Sequence, residues 1–507
     1  MANVEQERSR SLWMDEPAIE LPALTGGAAT DVLVIGAGIA GLTTAYELAR
    51  AGRSVTVVDR GRFARGMTAR TTAHLAFELD DFYTELADLR GRDDARRWYE
   101  SQSAAVDRIE AICREEGIDC DFARLDGFLV PAKDDDVDLL RKELDAAHAA
   151  GFADAAWVEA GALAWLKTPA IRFPRQGRFH PVKFLNGLIR ALQKRGAQLY
   201  ANTAIVSLEE KDRRVTAKID GGGEIVASDV VVATNSPFHL KVPVHSKQAP
   251  YRTYAFAASV PKGGAPDALV WDTLDPYHYV RIQPGEREDS LIVGGEDHKS
   301  GEADDMTERL ARLERWTRER YPAMGAVTHR WSGQVYEPAD YAGFIGRSPE
   351  HERVWLVTGD SGQGMTTAVA AALILNDLVA GRDNLWAALY DPARKITRGI
   401  VEYVKENIDA AKEMIGLGAQ EEGASAESVD AVRPGTGALV KVDGKLNAVY
   451  RDGSGAVTRR LAACTHAGCT VHWNSFEVCW DCPCHGSQFA SDGAPLQAPA
   501  VSPLGKP

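Results

Sequence analysis

At 507 residues, with 45% hydrophobic and 26% charged residues, the chain has a globular composition and room for about three structural units of roughly 150 residues, which excludes disordered, fibrous and small disulfide-stapled classes. A formal net charge of −14 without a clustered Lys/Arg stripe excludes nucleic acid as the main partner, because phosphate binding needs a basic face. The opening MANVEQERSRSLWMDE has no apolar export signal, and the most apolar stretch, Ala368 to Ala380, is too short to span a bilayer and is broken by Asn376 and Asp377, so no transmembrane segment and a cytoplasmic location are expected.

In chain order, residues 1–30 form an N-terminal extension. Residues 31–60 read as a strand (DVLVIG), a glycine turn and helix (AGIAGLTTAYELARAG) and a second strand (SVTVVDR), a βαβ unit. Apolar residues recur at helical spacing from Arg92 to Gly117 through Trp98, Val106, Ile109 and Ile112, and again through LLRKELDAAHAAG. A helix from Val182 to Arg195 stops at Gly196, a C-cap signal, and leads into one strand, AQLYANTAIVSLE. RVTAKID, EIVASDVVVAT, YAFAASV, HYVRI and LIVGG read as strands, followed by a short strand from Val354 to Thr358, the turn GDSGQGM and an Ala-rich helix to Gly381. A helical, acidic linker is expected over 401–430, and 431–507 changes to short strands and glycine turns enclosing most of the cysteines.

Gly36, Gly38 and Gly41 stand at the first strand-to-helix turn, where missing side chains let backbone N–H groups approach a pyrophosphate and the helix N-terminus favours its charge. Asp59, followed by Arg60, ends the next strand, where a carboxylate accepts hydrogen bonds from ribose hydroxyls and repels a 2′-phosphate. A turn that merely packs helix on strand is the bland alternative, and the glycines alone do not distinguish NAD from FAD.

The order GAGIAGL, RGMTARTTAHL, RFHPVKFLNGLIRALQKRGAQLYANTAIVSL, DVVVATN and VWLVTGDSGQGMTTA resembles the D-amino-acid oxidase and glycine oxidase superfamily of flavoproteins. The resemblance implies an α/β fold over 31–400, in which a discontinuous, Rossmann-like FAD-binding domain carries an inserted antiparallel-sheet substrate domain. It places Thr68, Arg70, Thr71 and Thr72 beside the pyrophosphate and flavin and the backbone of Ile205 against the adenine. Gly362, Gln363, Gly364 and Met365 then open a helix whose N–H groups point at the pyrimidine edge of the flavin and stabilise its reduced form. Tyr279, Arg281, His298 and Tyr336 fall in the segments that should face the flavin and are the catalytic candidates. A loop histidine satisfied by its neighbours and a structural ion pair are the competing readings of His298 and Arg281. The family's amino-acid oxidases carry an Arg after a WxG motif to clamp a substrate carboxylate, whereas WSGQVYEP places Gln334, Val335 and Tyr336 there. That departure speaks against an amino-acid substrate, and by fold analogy alone an amine or related small molecule is expected.

Of seven cysteines, Cys464, Cys469, Cys479, Cys482 and Cys484 crowd towards the C-terminus, a pattern that points to metal in a reducing compartment. CTHAGC and CPCHGS each offer a thiolate and an imidazole at close spacing. A Rieske [2Fe-2S] centre needs two thiolates on one iron and two imidazoles on the other, which Cys464, Cys482, His466 and His485 supply. A closed Cys2His2 zinc site uses similar pairs but has no place for the extra cysteine in each box. The boxes resemble those of Rieske proteins in respiratory and photosynthetic cytochrome complexes. That resemblance implies a small all-β domain, a disulfide between Cys469 and Cys484, and histidine ligands near the surface for partner docking. It also implies a hydrogen bond from Ser487 to a bridging sulfide, while Phe489 replaces a frequent tyrosine. Fewer hydrogen bonds to sulfur predict a potential below the top of the roughly −150 to +300 mV Rieske range. Cys479 reads as a small buried hydrophobe, and Cys113 and Cys120 as structural.

Together these features predict an FAD-dependent oxidoreductase that oxidises a small-molecule substrate and passes electrons through the cluster to an external redox partner. Reverse flow, from cluster to flavin to substrate, and a redox sensor or electron carrier without its own substrate are the alternatives.

Overall fold

The computed structural model describes residues 3–133, 136–240, 244–396 and 426–507. The linker expected over 401–430 lies outside the described residues up to 425.

The strand Ala28–Ile35 starts at the surface and ends fully buried, and Val55–Val58 is buried throughout. Such mostly apolar, buried runs suit a parallel sheet covered on both faces. Ala28–Ile35 pairs in parallel with Val55–Val58 and with Glu224–Val232, and the parallel ladder extends to Gln198–Tyr200 on one side and Val354–Thr358 on the other. Phe344–Arg347 adds an antiparallel edge. The helices Ile39–Arg50 and Gly364–Val379 pack against each other beside this sheet. The turn from the first strand into the helix Ile39–Arg50 needs glycine: a Cβ on Gly41 would lie 1.8 Å from the Gly36 carbonyl oxygen, and one on Gly36 would lie 2.3 Å from that of Ala233. The single strand read from AQLYANTAIVSLE is two, Gln198–Tyr200 and Ile205–Lys211. Asn202, at φ +49°, breaks the run, a conformation Asn tolerates because its short side chain bonds locally.

A second, nine-stranded sheet runs in the order Val327–Pro338, Gln248–Pro261, Glu288–Lys299, His278–Gln283, Leu269–Asp272, Ala123–Val130, Ala170–Arg178 and His74–Leu75, with Ala156–Val158 beside Ala170–Arg178. Its pairings are antiparallel except that of Leu269–Asp272 with Ala123–Val130. The C-terminal region is all-β: a three-stranded sheet from Thr436 to Leu461 and a four-stranded antiparallel sheet from His472 to Gln497. Leu439, Val471, Trp480 and Phe489 share one core there with Cys464 and Cys482.

The C-terminal region packs on the edge strand Val327–Pro338, and period-two alternation makes that strand a partition. Trp331, Gly333 and Val335 line the large internal cavity. Ser332 and Tyr336 point the other way and hydrogen-bond Glu477 and His485 of the C-terminal region, while Gln334 borders the cavity and also hydrogen-bonds Gly486 of that region.

Candidate flavin cavity and iron-sulfur centre

The cavity runs between the two sheets. At one end it is lined by Gly36, Gly38, Asp59, Arg60, Thr68 and Ile205, and at the other by Thr253, Trp271, Tyr277, Tyr279, Asp297 and the turn Gly362–Met365. Asp59 accepts the N–H of Ala37 at 2.7 Å and of Gly61 at 2.8 Å. Burial raises its carboxyl above the ordinary range, and each oxygen keeps a second lone pair for a ligand. Thr68 Oγ1 accepts the Ile39 N–H at the start of the first helix. The N-termini of the helices beginning at Ile39 and Gly364 therefore open on one space, and two positive dipole ends suit a pyrophosphate and an electron-rich ring. Thr71, Thr72, Gly364 and Met365 also border it. Gly41 does not; it works through the close packing described above.

Arg70 borders the cavity, but its guanidinium turns away to Glu7 at 3.2 Å and Glu477 at 3.4 Å. Of the four catalytic candidates, Tyr279 alone lines the cavity, its hydroxyl 2.6 Å from Thr253 Oγ1. Arg281 lies behind the Thr72 loop. It is fully buried and donates to the carbonyls of Thr72 and Phe179 and to Gln283, and burial lowers it to about 9. His298 is satisfied on both ring nitrogens, by Tyr254 Oη at 2.9 Å and the Lys299 carbonyl at 2.8 Å. Its neighbour Asp297 is the residue on the cavity side, since adjacent strand residues face opposite ways. Tyr336 donates to the His485 carbonyl at 3.1 Å and serves the C-terminal region instead of the flavin.

Two cavity carboxylates escaped the sequence reading. Tyr277 Oη donates to Asp80 at 2.9 Å, yet burial and the neighbouring Asp81 lift Asp80 well above the carboxylate range. Burial lifts Asp297 to about 7, against Thr253, Arg309 and His278, and its Oδ1 has no hydrogen-bond partner among the described residues. Neither residue sits in a motif. Only the fold brings the loop after Leu79 to the strand Glu288–Lys299.

The two cysteine boxes fold into matching loops. Cys464 N–H donates to Cys469 O and Gly468 N–H to Cys464 O; correspondingly, Cys482 N–H donates to Ser487 O and Gly486 N–H to Cys482 O. Gly468 and Gly486, at φ +86° and +74°, close the two turns. Cys469 and Cys484 are joined at 2.01 Å, which leaves Cys464 and Cys482 as the available thiols. Cys464 is lowered to about 7, first by the Cys482 thiol and then, against burial, by the His466 N–H, the Ser487 hydroxyl and the Ala467 N–H. The rings of His466 and His485 stand perpendicular, 5.0 Å apart. His466 Nε2 lies 3.2 Å from the Leu240 carbonyl, while the buried Nδ1 of His485 has no hydrogen-bond partner among the described residues. Two thiols and two imidazoles converging with an orphaned ring nitrogen fit a Rieske cluster.

The histidines expected near the surface for a partner face the chain's own oxidoreductase half. His245, itself buried, packs 5.0 Å from the His466 ring and 5.4 Å from the His485 ring. A charge network closes the remaining interface. Arg252 clamps Asp481 through two nitrogens at 2.9 and 3.1 Å and reaches Glu7 at 2.9 Å, and Ser9 and Ser332 donate to Glu477. The side chains of Glu7, Arg70, Arg252 and Glu477 are 0% exposed. The N-terminal extension is thus a wedge between the two halves. Arg60 adds a bond to the Pro495 carbonyl, and Leu496, Gln497 and Ala498 border the cavity itself.

Fold and site define a flavin-dependent oxidoreductase that carries an iron-sulfur electron-transfer domain. The chain belongs to the FAD dependent oxidoreductase family, whose model matches residues 31–378, and a Rieske [2Fe-2S] domain model matches residues 424–507. It is similar to YhfW of Bacillus subtilis, whose name carries a Rieske 2Fe-2S iron-sulfur designation, with 29% identity over 509 residues covering 98% of this chain and 97% of the relative. It is also similar to gamma-glutamylputrescine oxidoreductase of Escherichia coli, with 24% identity over 69% of this chain and 84% of the relative. Among solved structures, L-proline dehydrogenase from P. horikoshii superposes with a TM-score of 0.60 at 21% identity, over 74% of this chain and 98% of that one. The cofactors are FAD and a [2Fe-2S] cluster. No described helix is long and apolar enough to cross a membrane.

Proposed function

We propose that this protein is a cytoplasmic amine dehydrogenase whose electrons leave through its own Rieske domain to an external one-electron acceptor. One observation carries the substrate class. The inner end of the cavity presents Asp80, Asp297, Trp271, Tyr277 and Tyr279, and no described guanidinium or ammonium is turned into it. Arg70 is spent on Glu7 and Glu477, Arg281 lies behind the Thr72 loop, and Arg60 stands at the far end. A carboxylate substrate would find no partner there, whereas a cationic amine finds two acids and aromatic faces. The similarity to gamma-glutamylputrescine oxidoreductase supports an amine.

Gly36, Gly38, Asp59, Thr68, Thr71, Thr72, Ile205 and the Gly362–Met365 turn would hold the flavin, and Gly41 lets the helix approach it. Cys464, Cys482, His466 and His485 would hold the cluster, with the disulfide between Cys469 and Cys484 tying their loops. When bound, the flavin supplies two-electron acceptance from a C–N bond and the cluster carriage of single electrons. Asp80 and Asp297 attract the ammonium. Asp297 Oδ1, in a carboxyl poised near neutral pH, takes the proton that must leave nitrogen before its C–H bond is oxidised. Tyr279, fixed by Thr253, bounds the ring side of the pocket.

Anaerobic mixing with a panel of mono- and diamines and, separately, amino acids tests this reading. Amines should bleach the flavin and then reduce the cluster. A flavin that answers only to amino acids, or to nothing in the panel, overturns it.

A further inference from the structure

Gln334 stands where the oxidoreductase half meets the Rieske domain. It borders the flavin cavity, and its Nε2 donates to the Gly486 carbonyl at 2.9 Å, one residue from His485. Its Oε1 accepts from Gln497, which borders the same cavity from the Rieske side. The contact is as close as backbone allows: a Cβ on Gly486 would lie 2.8 Å from Gln334 Nε2 and 2.3 Å from Tyr336 Oη. His245 also touches both ligand rings, but it does not border the cavity, and its Nε2 is taken by the Pro237 carbonyl.

We infer that Gln334 is the positioning residue that couples the flavin to the cluster, and that electrons pass within one chain in this docked arrangement. The inference rests on the cofactor sites proposed above. Tunnelling weakens steeply across empty gaps and much less through covalent and hydrogen bonds, and here one side chain and one hydrogen bond lead from the cavity wall to the ligand loop. The buried Arg252–Asp481 and Arg70–Glu477 pairs hold that geometry. Each transfer oxidises the reduced flavin by one electron and reduces the diferric cluster by one. Two transfers, with the cluster emptied to a one-electron acceptor between them, return the flavin to its oxidised form, and its protons leave through the cavity.

The test uses the holoenzyme and a flash of photoreduced 5-deazariboflavin, which reduces the flavin without any amine, with absorbance of flavin and cluster followed separately. The wild type should show a fast phase of cluster reduction whose rate is independent of protein concentration. Gln334→Met should lose that phase while the cluster's EPR g-values and midpoint potential stay unchanged. Should that variant fail to take up cofactors, Gln334→Glu, which offers Gly486 an acceptor instead of a donor, should show the same loss. Asp304→Ala removes another domain contact, to Ser475 and away from the cavity, and should keep the fast phase. The inference is overturned if the wild-type phase scales with concentration, if the Gln334 variants keep it, or if Asp304→Ala loses it equally. An inert response to every amine would leave this result standing and sink the substrate reading alone.

Discussion

Two groups of buried carboxylates, one at the Rieske interface and one in the flavin cavity, meet different surroundings. At the Rieske interface burial opposes the ionisation of Glu477 and Asp481, yet Arg70 and Arg252 hold Glu477, and Arg252 holds Asp481, below the ordinary carboxylate range, while Glu7, between the same two arginines, stays raised because burial outweighs them. In the flavin cavity burial wins, and Asp80 and Asp297 are pushed up. The contrast separates structure from function. The interface has its cations built into the chain, whereas the cavity has acids whose cation arrives with the substrate.

The contrast breaks hardest at Arg252. Replacing it by Met strands Glu7 and Asp481 in the interior, and removing one partner of a buried pair costs about 3–5 kcal/mol. Chemical denaturation should show that loss, with the Rieske half becoming open to protease first. A cost below about 1 kcal/mol would put the network on a par with surface pairs and remove the argument for rigid docking. Next in size is the tie between the ligand loops. Cys469→Ser opens a loop with a sequence separation of 15, for which chain entropy gives about 3 kcal/mol. Comparing oxidised and reduced wild type with the variant checks it, since reduction should bring the wild type down to the variant's midpoint.

The cavity side of the contrast is sharpened by pH. Asp297, raised to about 7, is neutral below that pH and anionic above it, so kcat/KM for a cationic amine should rise as pH climbs through about 7. The groups around it are Asp80 from the loop before the helix Tyr83–Arg90, Thr253, His278, Glu296 and Arg309. Asp297→Asn should remove that rising limb. Losing a hydrogen bond to a charged group costs about 1.5–3 kcal/mol, or roughly 10- to 150-fold in kcat/KM. A limb that survives in the variant assigns it to another group.

Local sequence made much of this legible, and the unread part is everything that depends on which faces meet. The glycines of GAGIAG, the turn GDSGQGM and the paired cysteine boxes each lie within a few adjacent residues, and the fold brings the first two to one cavity and the boxes to one pair of loops. His298 and Tyr336 misled because a strand residue's direction depends on register, and a step of one residue exchanged His298 for Asp297. Arg281 misled because a lone Arg in an apolar strand has no sequence mark that separates a carbonyl-satisfied guanidinium from a substrate clamp. Arg252, Glu477 and His245 gain their roles only when the C-terminal domain settles on the edge strand, a contact no local pattern encodes. The unusual WSGQVYEP was a usable signal: polar Ser332, Gln334 and Tyr336 alternate along it, and all three hydrogen-bond the Rieske domain.

The smallest effect lies at the cluster's own sulfurs. Ser487 Oγ accepts the Ala500 N–H at 3.0 Å, which leaves its proton free to point at the Cys464 side of the site, where it helps lower that thiol. Phe489 is fully buried in the same core and brings no second hydroxyl. Reduction adds negative charge to the cluster, so each hydrogen bond to sulfur favours the reduced form and raises the midpoint. At about 0.5–1.5 kcal/mol per bond, Ser487→Ala should lower the midpoint by roughly 20–65 mV for a one-electron couple, and Phe489→Tyr should raise it by a similar amount. Potentiometric titration followed by EPR measures both. A wild-type midpoint near +300 mV, the top of the Rieske range, would mean that the missing hydroxyl is compensated at the buried interface. The His245 contact would then become the first place to look, because His245 is a titratable side chain of the oxidoreductase half that packs on both ligand rings.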